Sequence, residues 1–96
     1  MKIFWSYVAV GNLIENNRYI AKENPDAARR IINEIYEAGN RIKKYPEKGR
    51  IVSEIGKANI REVFSGNYRI IYKKEPKRIN ILTVRHMRQD LKKEDL

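Results

Sequence analysis

The stretch between Ile60 and Arg88 constrains this chain most, because its runs and breaks predict three antiparallel strands in a row. Three runs rich in Val, Ile, Tyr, Phe and Thr alternate with two clusters of turn residues, and these residue types favour strands and turns respectively. The predicted strands are Ile60–Phe64, Tyr68–Lys73 and Ile79–His86, with Ser-Gly-Asn and Glu-Pro-Lys as the turns between them. The second half of the chain is therefore predicted to form a compact sheet.

The first part of the chain predicts a short strand followed by a helix. Lys2–Trp5 is apolar and alternates weakly, which suits a strand that later joins the main sheet. Ser6 is a suitable N-cap, and apolar residues recur at helical spacing from Tyr7 to about Lys22. We therefore expect the chain to begin with a strand and a first helix.

The second helix has clear signals at both ends. Asn24 suits the N-cap, Pro25 the first helical position and Asp26 the first turn. The helix is expected to end near Tyr45, because the residue before a proline is disfavoured in the helical region. One apolar stripe follows the helix, and it comprises Ala28, Ile31, Ile32, Ile35, Ala38, Gly39 and Ile42. Glycine within such a stripe predicts a close helix crossing.

This order of elements predicts a single α+β domain over residues 1–96. A strand and an antiparallel helical hairpin occupy residues 1–45, a mainly antiparallel sheet of three or four strands occupies 50–88, and 89–96 is a polar tail, either a last helical turn or disordered. Ile51-Val52 is either a short edge strand or an ordered loop. The two helices are expected to cover one face of the sheet, and the other face is expected to stay open and basic.

Composition limits the classes of function. Lys and Arg outnumber Asp and Glu by 21 to 12, and the net charge of +9 favours nucleic acid, an acidic protein segment or an anionic surface as partner. The chain has no cysteine, which excludes disulfides and thiolate metal sites and favours the cytoplasm. One histidine predicts no metal cluster, and the motifs indicate no cofactor. The absence of a long apolar run predicts no membrane span.

The candidate binding residues are the arginines of the predicted sheet, and each also has a structural interpretation. Arg61, Arg69, Arg85 and Arg88 are predicted to contact a phosphate or carboxylate of a nucleic acid or partner. Alternatively, Arg69 forms a cross-strand ion pair with Glu62, and Arg85 and Arg88 are solvated at the sheet edge.

His86 has two interpretations of the same kind. A histidine near the end of a strand is a candidate general acid or base, because its pKa lies near neutrality. Alternatively it packs, since alternation would place it on one strand face with Leu82 and Val84.

Several motifs, taken in order, resemble the RelE/ParE superfamily of toxins from toxin–antitoxin modules. The resemblance runs over nearly the whole chain, and its pieces are Trp5, Tyr19-Ile20-Ala21, Asn24-Pro25-Asp26-Ala27-Ala28, Tyr45-Pro46, Gly49-Arg50, Ile60-Arg61-Glu62-Val63, Tyr68-Arg69-Ile70-Ile71-Tyr72 and Ile81-Leu82 with Val84, His86 and Arg88. The resemblance implies a toxin that is neutralised by an antitoxin whose C-terminal segment wraps it. RelE-like members cleave messenger RNA on the ribosome, whereas ParE-like members bind and poison DNA gyrase.

The nuclease branch of this resemblance is only partly matched. Arg69 matches the arginine of the YR motif, but Glu62 falls where a lysine is used, and no tyrosine follows His86. Some relatives use a Glu, Arg and His set, so Glu62, Arg69 and His86 are the catalytic residues that the resemblance implies if the chain is an interferase.

The ParE branch is matched better, by the long helical hairpin with NPDAA at its turn and by the short end after VRHMRQDL. The resemblance therefore implies a ParE-like toxin that inhibits gyrase by binding and has no catalytic residues. The alternatives are a RelE-like ribosome-dependent endonuclease and a non-toxic member that only binds an acidic antitoxin segment.

Overall fold

The structure, a computed structural model, describes residues 1–96 apart from the side chain of Glu94. Its helices and strands follow the predicted order. The four strands whose bounds were predicted begin and end within one residue of those bounds. The elements are β1 (Lys2–Trp5), α1 (Tyr7–Ala21), α2 (Pro25–Arg41), a 3-10 turn (Ile42–Lys44), β2 (Arg50–Ile51), β3 (Ile60–Ser65), β4 (Tyr68–Lys74), β5 (Arg78–His86) and a second 3-10 turn (Lys93–Asp95).

Both helices begin at the predicted capping residues. The Ser6 hydroxyl accepts a hydrogen bond from the Ala9 amide at 3.0 Å, and the Asn24 side chain accepts one from the Ala27 amide at 3.0 Å. Each cap satisfies an amide that a helix otherwise leaves without a partner. Within the part of the chain that the structure describes, no helix is long and apolar enough to cross a membrane.

The sheet has five strands in the order β1-β5-β4-β3-β2, with β1 parallel to β5 and the other neighbours antiparallel. The α+β class is confirmed, and the fifth strand arises because Arg50 and Ile51 pair with β3. Of the two interpretations of Ile51-Val52, the edge strand is correct for Ile51, whereas Val52 follows it as a fully buried loop residue.

The helices pack on one face of the sheet and bury an apolar core against it. The core comprises Ala9, Ile35, Ile42, Ile70, Tyr72, Ile79, Ile81 and Val84. Gly39 of α2 meets the sheet layer, because a Cβ there would lie 2.5 Å from the Trp5 ring and 3.0 Å from Ile81. The close approach predicted for Gly39 is thus present, but it is made to a strand and not to the other helix.

A β-bulge changes the side-chain alternation along β5. Tyr72 pairs with Ile81 and Ile71 pairs with Thr83, so Leu82 is the extra residue. Val84 and His86 share the face that carries the helices, as alternation predicts, whereas Leu82 lies in the bulge and has no partner in the register. Beyond the bulge, α1 lies along β5, and the Asn12 side-chain carbonyl accepts the Val84 amide at 2.9 Å.

The face opposite the helices is not open as predicted. Two segments cover part of it: the loop 52–59 between β2 and β3, and the tail 89–96 after β5. Ile71 and Thr83, which point away from the helices, are both fully buried in consequence. The tail ends in a 3-10 turn, so the helical-turn interpretation of residues 89–96 is confirmed.

Candidate functional site

Two predicted binding arginines lie side by side on the face away from the helices. In the antiparallel register, Phe64 of β3 is opposite Arg69 of β4, and Arg69 is opposite Arg85 of β5. Like charges directly opposite each other on a sheet repel, so this arrangement requires carboxylates nearby. We call this surface the arginine face; its charged residues are Arg50, Arg69, Arg85, Glu54, Glu62 and Asp95.

Arg69 is held by two carboxylates, one from the sheet and one from the covering loop. Its Nε donates to Glu62 at 2.6 Å, while its two terminal nitrogens donate to the two oxygens of Glu54 at 2.9 and 3.0 Å. The ion pair with Glu62 that the sequence predicts is confirmed, and both side chains are almost entirely buried, at 10% and 1% exposure. Every nitrogen of the Arg69 guanidinium is thereby engaged within the protein.

These contacts also shift the pKa values of Glu54 and Arg69. The hydrogen bond from Arg69 is the main cause that lowers the pKa of Glu54 from 4.5 to about 2. The same contact with Glu54 is the main cause that raises the pKa of Arg69 above its ordinary value. Both shifts favour the charged forms, so the pair stays ionised throughout the neutral range.

Arg85 is held by the tail. Its Nε and one terminal nitrogen donate to the two oxygens of Asp95 at 2.9 and 2.8 Å, and the Asp95 side chain has no exposed surface. Burial alone would raise the pKa of Asp95, but the hydrogen bonds from Arg85 and the Lys92 amide outweigh it and lower the pKa. Arg85 is therefore not the solvated residue at a sheet edge that one interpretation predicted, because β5 lies inside the sheet and the tail covers it.

Arg50 completes the charge balance of the arginine face. It donates to the second oxygen of Glu62 at 2.8 Å and lies over the Phe64 ring at 4.8 Å from its centre. Three arginines on this face are matched by three carboxylates. The arginine face itself therefore has no net charge, whereas Lys2, Lys73 and Arg78 lie farther along the same side of the sheet.

The structure separates the three residues that were candidates for catalysis. Glu62 and Arg69 lie together on the arginine face, whereas His86 is opposite Tyr68 on the face that carries the helices. There His86 packs edge-on against the Tyr68 ring at 5.4 Å, and its Nδ1 accepts the Arg88 amide at 3.2 Å. The sheet thus stands between His86 and the other two side chains.

The remaining predicted arginines have different environments. Arg61 lies on the helix side of β3 and donates to the carbonyls of Ala58, Glu47 and Gly49 at 2.9, 3.2 and 2.9 Å. Arg61 therefore holds the loop segments before and after β2 next to β3. Arg88 lies beyond the end of β5 and is exposed, so it is accessible to a partner.

Sequence reasoning missed Glu54 and Asp95, although it indicated that the arginines need either an anionic partner or carboxylates of the chain itself. Both acids lie in segments without strand or helix periodicity, and 12 acidic residues were available. Nothing in their spacing identifies the two that fold back onto the sheet.

A basic surface lies instead where α2 meets β3. A groove of about 340 Å³ there has an apolar floor of Ala38, Ile42 and Val63, and Phe64 lines it from the exposed edge of β3. Its rim carries Arg41, Lys44, Tyr45 and Lys48, and all four are exposed. Three cations around an apolar floor match an amphipathic segment that carries acidic residues.

Comparison with known proteins agrees with this fold. A solved structure described as the chromosomal ParDE TA system from P. aeruginosa superposes with a TM-score of 0.75, covering 90% of this chain and 95% of that one at 19% identity. A curated relative, the putative toxin Y4kP of Sinorhizobium fredii (strain NBRC 101917 / NGR234), is 39% identical over 49 residues. That aligned stretch spans about half of each protein, 51% in both cases.

The family comparison covers far more of the chain. The family model described as ParE toxin of type II toxin-antitoxin system, parDE, matches residues 3–91. The match includes both helices and all five strands, which are the elements that build the fold described above. The chain therefore belongs to the ParE toxin family of type II toxin–antitoxin systems.

Proposed function

We propose that this protein is the toxin of a type II toxin–antitoxin module and that it inhibits DNA gyrase by binding, without cleaving RNA. The observation that carries this proposal is the separation of the candidate catalytic residues. Glu62 and Arg69 are engaged with each other and buried, and His86 is on the other side of the sheet.

The chemistry of RNA cleavage explains why this separation matters. Attack by the 2′-hydroxyl needs a base, a cation beside the phosphate and an acid at the leaving oxygen, all within hydrogen-bond reach of one phosphodiester. Glu62 already accepts hydrogen bonds from two arginines, so it is poorly placed to accept a substrate proton. This geometry supports binding as the mode of action and lends little support to the nuclease alternative.

We further propose that an acidic segment of an antitoxin docks in the groove between α2 and β3. The groove offers apolar surface for side chains and cations for carboxylates, and the free edge of β3 beyond Glu62 lies next to it. Since rim charges act mainly on association and orientation, we expect them to contribute modestly and the apolar floor to contribute more.

The direct test is expression of the chain alone in a bacterial host, with primer extension on cellular messages and supercoiling assays on purified gyrase. We expect growth arrest, inhibited gyrase and intact messages. His86→Ala should remain as toxic as the parent, because His86 contributes packing and not proton transfer. Codon-phased cuts that disappear in His86→Ala would instead establish the ribosome-dependent nuclease.

A second assay addresses the antitoxin. Co-expression with the antitoxin encoded beside the toxin gene should neutralise the parent chain, and Lys44→Glu with Lys48→Glu should weaken their association about tenfold. Lys22→Glu with Lys57→Glu makes the same charge change at exposed positions outside the groove, and it should have little effect. Antitoxin binding without toxicity in the first assay would identify a non-toxic member.

A further inference from the structure

The side chain of Asp95 occupies a well-defined carboxylate pocket on β5. Arg85 donates to both of its oxygens, and the Thr83 hydroxyl lies 3.1 Å from Oδ1 and 2.9 Å from the Asn12 side-chain carbonyl, so its one proton is shared between these two acceptors. The fourth contact is the Lys92 amide, 2.7 Å from Oδ2, which belongs to the tail itself. The donor groups of three of the four contacts therefore belong to β5, so they are in place independently of the tail.

Apart from Asp95, the tail is anchored at its start, where the Gln89 side chain accepts the His86 amide and the Gln89 amide donates to the His86 carbonyl, both at 2.9 Å. Gln89, Asp90, Lys92 and Lys93 are exposed, and Leu91 is only half-buried, whereas Asp95 has 1% exposure. Beyond Gln89, the hydrogen bonds that the described part of the tail makes to the rest of the protein are thus those of one carboxylate, and the last turn also lies against α1. Since breaking a buried ion pair by removing one partner is strongly unfavourable, the tail should be bound or released as a unit.

We propose that Arg85 and Thr83 form a recognition pocket for a carboxylate side chain of an acidic protein segment, and that Asp95 is its intramolecular occupant. A bidentate guanidinium with a neighbouring hydroxyl selects a planar carboxylate on geometric grounds. Ile71 and Thr83 are buried on the same face, so a segment that replaces the tail must also exclude water from these two side chains. A peptide with apolar residues does so. The net charge of +9 attracts such a segment to the protein.

This arrangement makes the tail a competitor of the partner. A tethered carboxylate acts at an effective concentration on the order of millimolar, so a partner must displace Asp95 before it can bind. Identification of the partner with an antitoxin rests on the proposed function. The pocket itself does not, because its test requires neither toxicity nor gyrase.

The test vacates the pocket in the full-length chain by Asp95→Ala and offers it a labelled synthetic peptide of residues 89–96, followed by fluorescence anisotropy. The vacated chain should bind this peptide at least about tenfold more tightly than it binds the same peptide carrying Asp95→Asn. The parent chain, whose pocket is filled, should bind the unmodified peptide at least about tenfold more weakly than the Asp95→Ala chain. Arg85→Gln added to Asp95→Ala should abolish the difference between the peptides.

Asp90→Ala is the matched control, because it removes the same charge from an exposed position of the same tail. It should bind the peptides as the parent does. Equal binding of the two peptides to the Asp95→Ala chain, or equal binding by the Asp95→Ala and Asp90→Ala chains, would overturn the proposal. If Asp95→Ala loses its circular dichroism signal and so does not fold, Thr83→Val is used in its place. Tryptic cleavage after Lys92 is then measured, and it should be at least about fivefold faster in Thr83→Val than in Asp90→Ala.

Discussion

Both faces of this one sheet contain buried side chains, but different interactions stabilise them. On the helix-covered face, Ile70, Ile79 and Val84 pack against α1 and α2, and burial of apolar area provides the stabilisation. On the arginine face, Glu62 and Arg69 are buried at the centre of a chain of ion pairs whose two ends, Arg50 and Glu54, are exposed. The comparison shows that consecutive residues of the same strand, such as Arg69 and Ile70, depend on different interactions because they point to opposite faces.

The difference matters for how each face tolerates change. Apolar packing is non-directional, so a lost methyl group leaves a cavity whose cost depends on how far neighbours relax. An ion-pair network is directional, so a lost carboxylate leaves a buried guanidinium without its counter-charge. We therefore expect the arginine face to be the more sensitive of the two to a single substitution.

The largest expected effect is that of Glu62→Ala. This change removes the carboxylate shared by Arg50 and Arg69, and it should reduce the free energy of unfolding by about 3–5 kcal/mol. Urea denaturation followed by circular dichroism measures the change. Glu34→Ala is the control, because its pair with Arg30 is exposed and its atoms are 3.9 Å apart, so its loss should cost less than about 0.5 kcal/mol. Equal effects of the two substitutions would contradict the distinction between the faces.

On the helix-covered face, Gly39→Ala should cost up to about 2 kcal/mol. Alanine improves helix propensity by about 1 kcal/mol, but the added Cβ meets the Trp5 ring, and overpacking costs about 1–3 kcal/mol. Gly11→Ala in α1 is the matched control, since no atom lies within 4 Å of the added Cβ. Thermal unfolding should therefore show opposite signs for the two substitutions, and stabilisation by both would refute the close contact.

Tyr72→Phe tests a directional contact at the margin of the apolar core. The Tyr72 hydroxyl donates to the Pro46 carbonyl at 2.6 Å, and its ring is fully buried. Loss of this hydrogen bond should cost about 1 kcal/mol, less than the loss of Glu62. Tyr36→Phe provides a comparison at a half-exposed ring and should leave the urea midpoint almost unchanged.

The smallest effect concerns the dependence of stability on pH. Glu54 has a pKa of about 2 in the folded protein against an ordinary value of 4.5, so its contribution is fully present above pH 4.5 and is lost as the pH falls toward 2. The Glu54 side chain is 45% exposed, and solvent screening makes the contribution small. Urea midpoints between pH 2 and 6 should fall less steeply in Glu54→Gln than in the parent chain, and parallel curves would contradict the prediction.

Much of the fold follows from local signals in the sequence. Ser6 and Asn24 identify the helix starts because capping is a contact within a few residues, and the turns at Gly66 and Pro76 separate the strands for a similar reason. The bulge at Leu82 has no such signal, since it depends on how β5 pairs with β4 and meets α1. That single extra residue decides which side chains of β5 face the helices.

The candidate site was less predictable from the sequence. The pair of Arg69 with Glu62 was predicted because both lie on neighbouring strands. The family resemblance also grouped His86 with them, whereas the structure places it across the sheet, on the apolar face that alternation predicted. Strand assignment alone does not reveal the face of a residue when a bulge intervenes. The motifs indicated the family correctly, because they depend on residue types in order and not on which face each occupies.

By itself, then, the sequence determined the order of the elements, the helix caps and the turns, which depend on short-range sterics and hydrogen bonds, and the family, which depends on residue types in order. Only the tertiary structure decided that the arginine face is neutral and covered. Glu54 and Asp95 reach it from segments 15 and 10 residues away from their arginines, in loops whose course depends on long-range packing. A charge count along the chain cannot show this, because ion pairing depends on distances in space and not on separation in sequence.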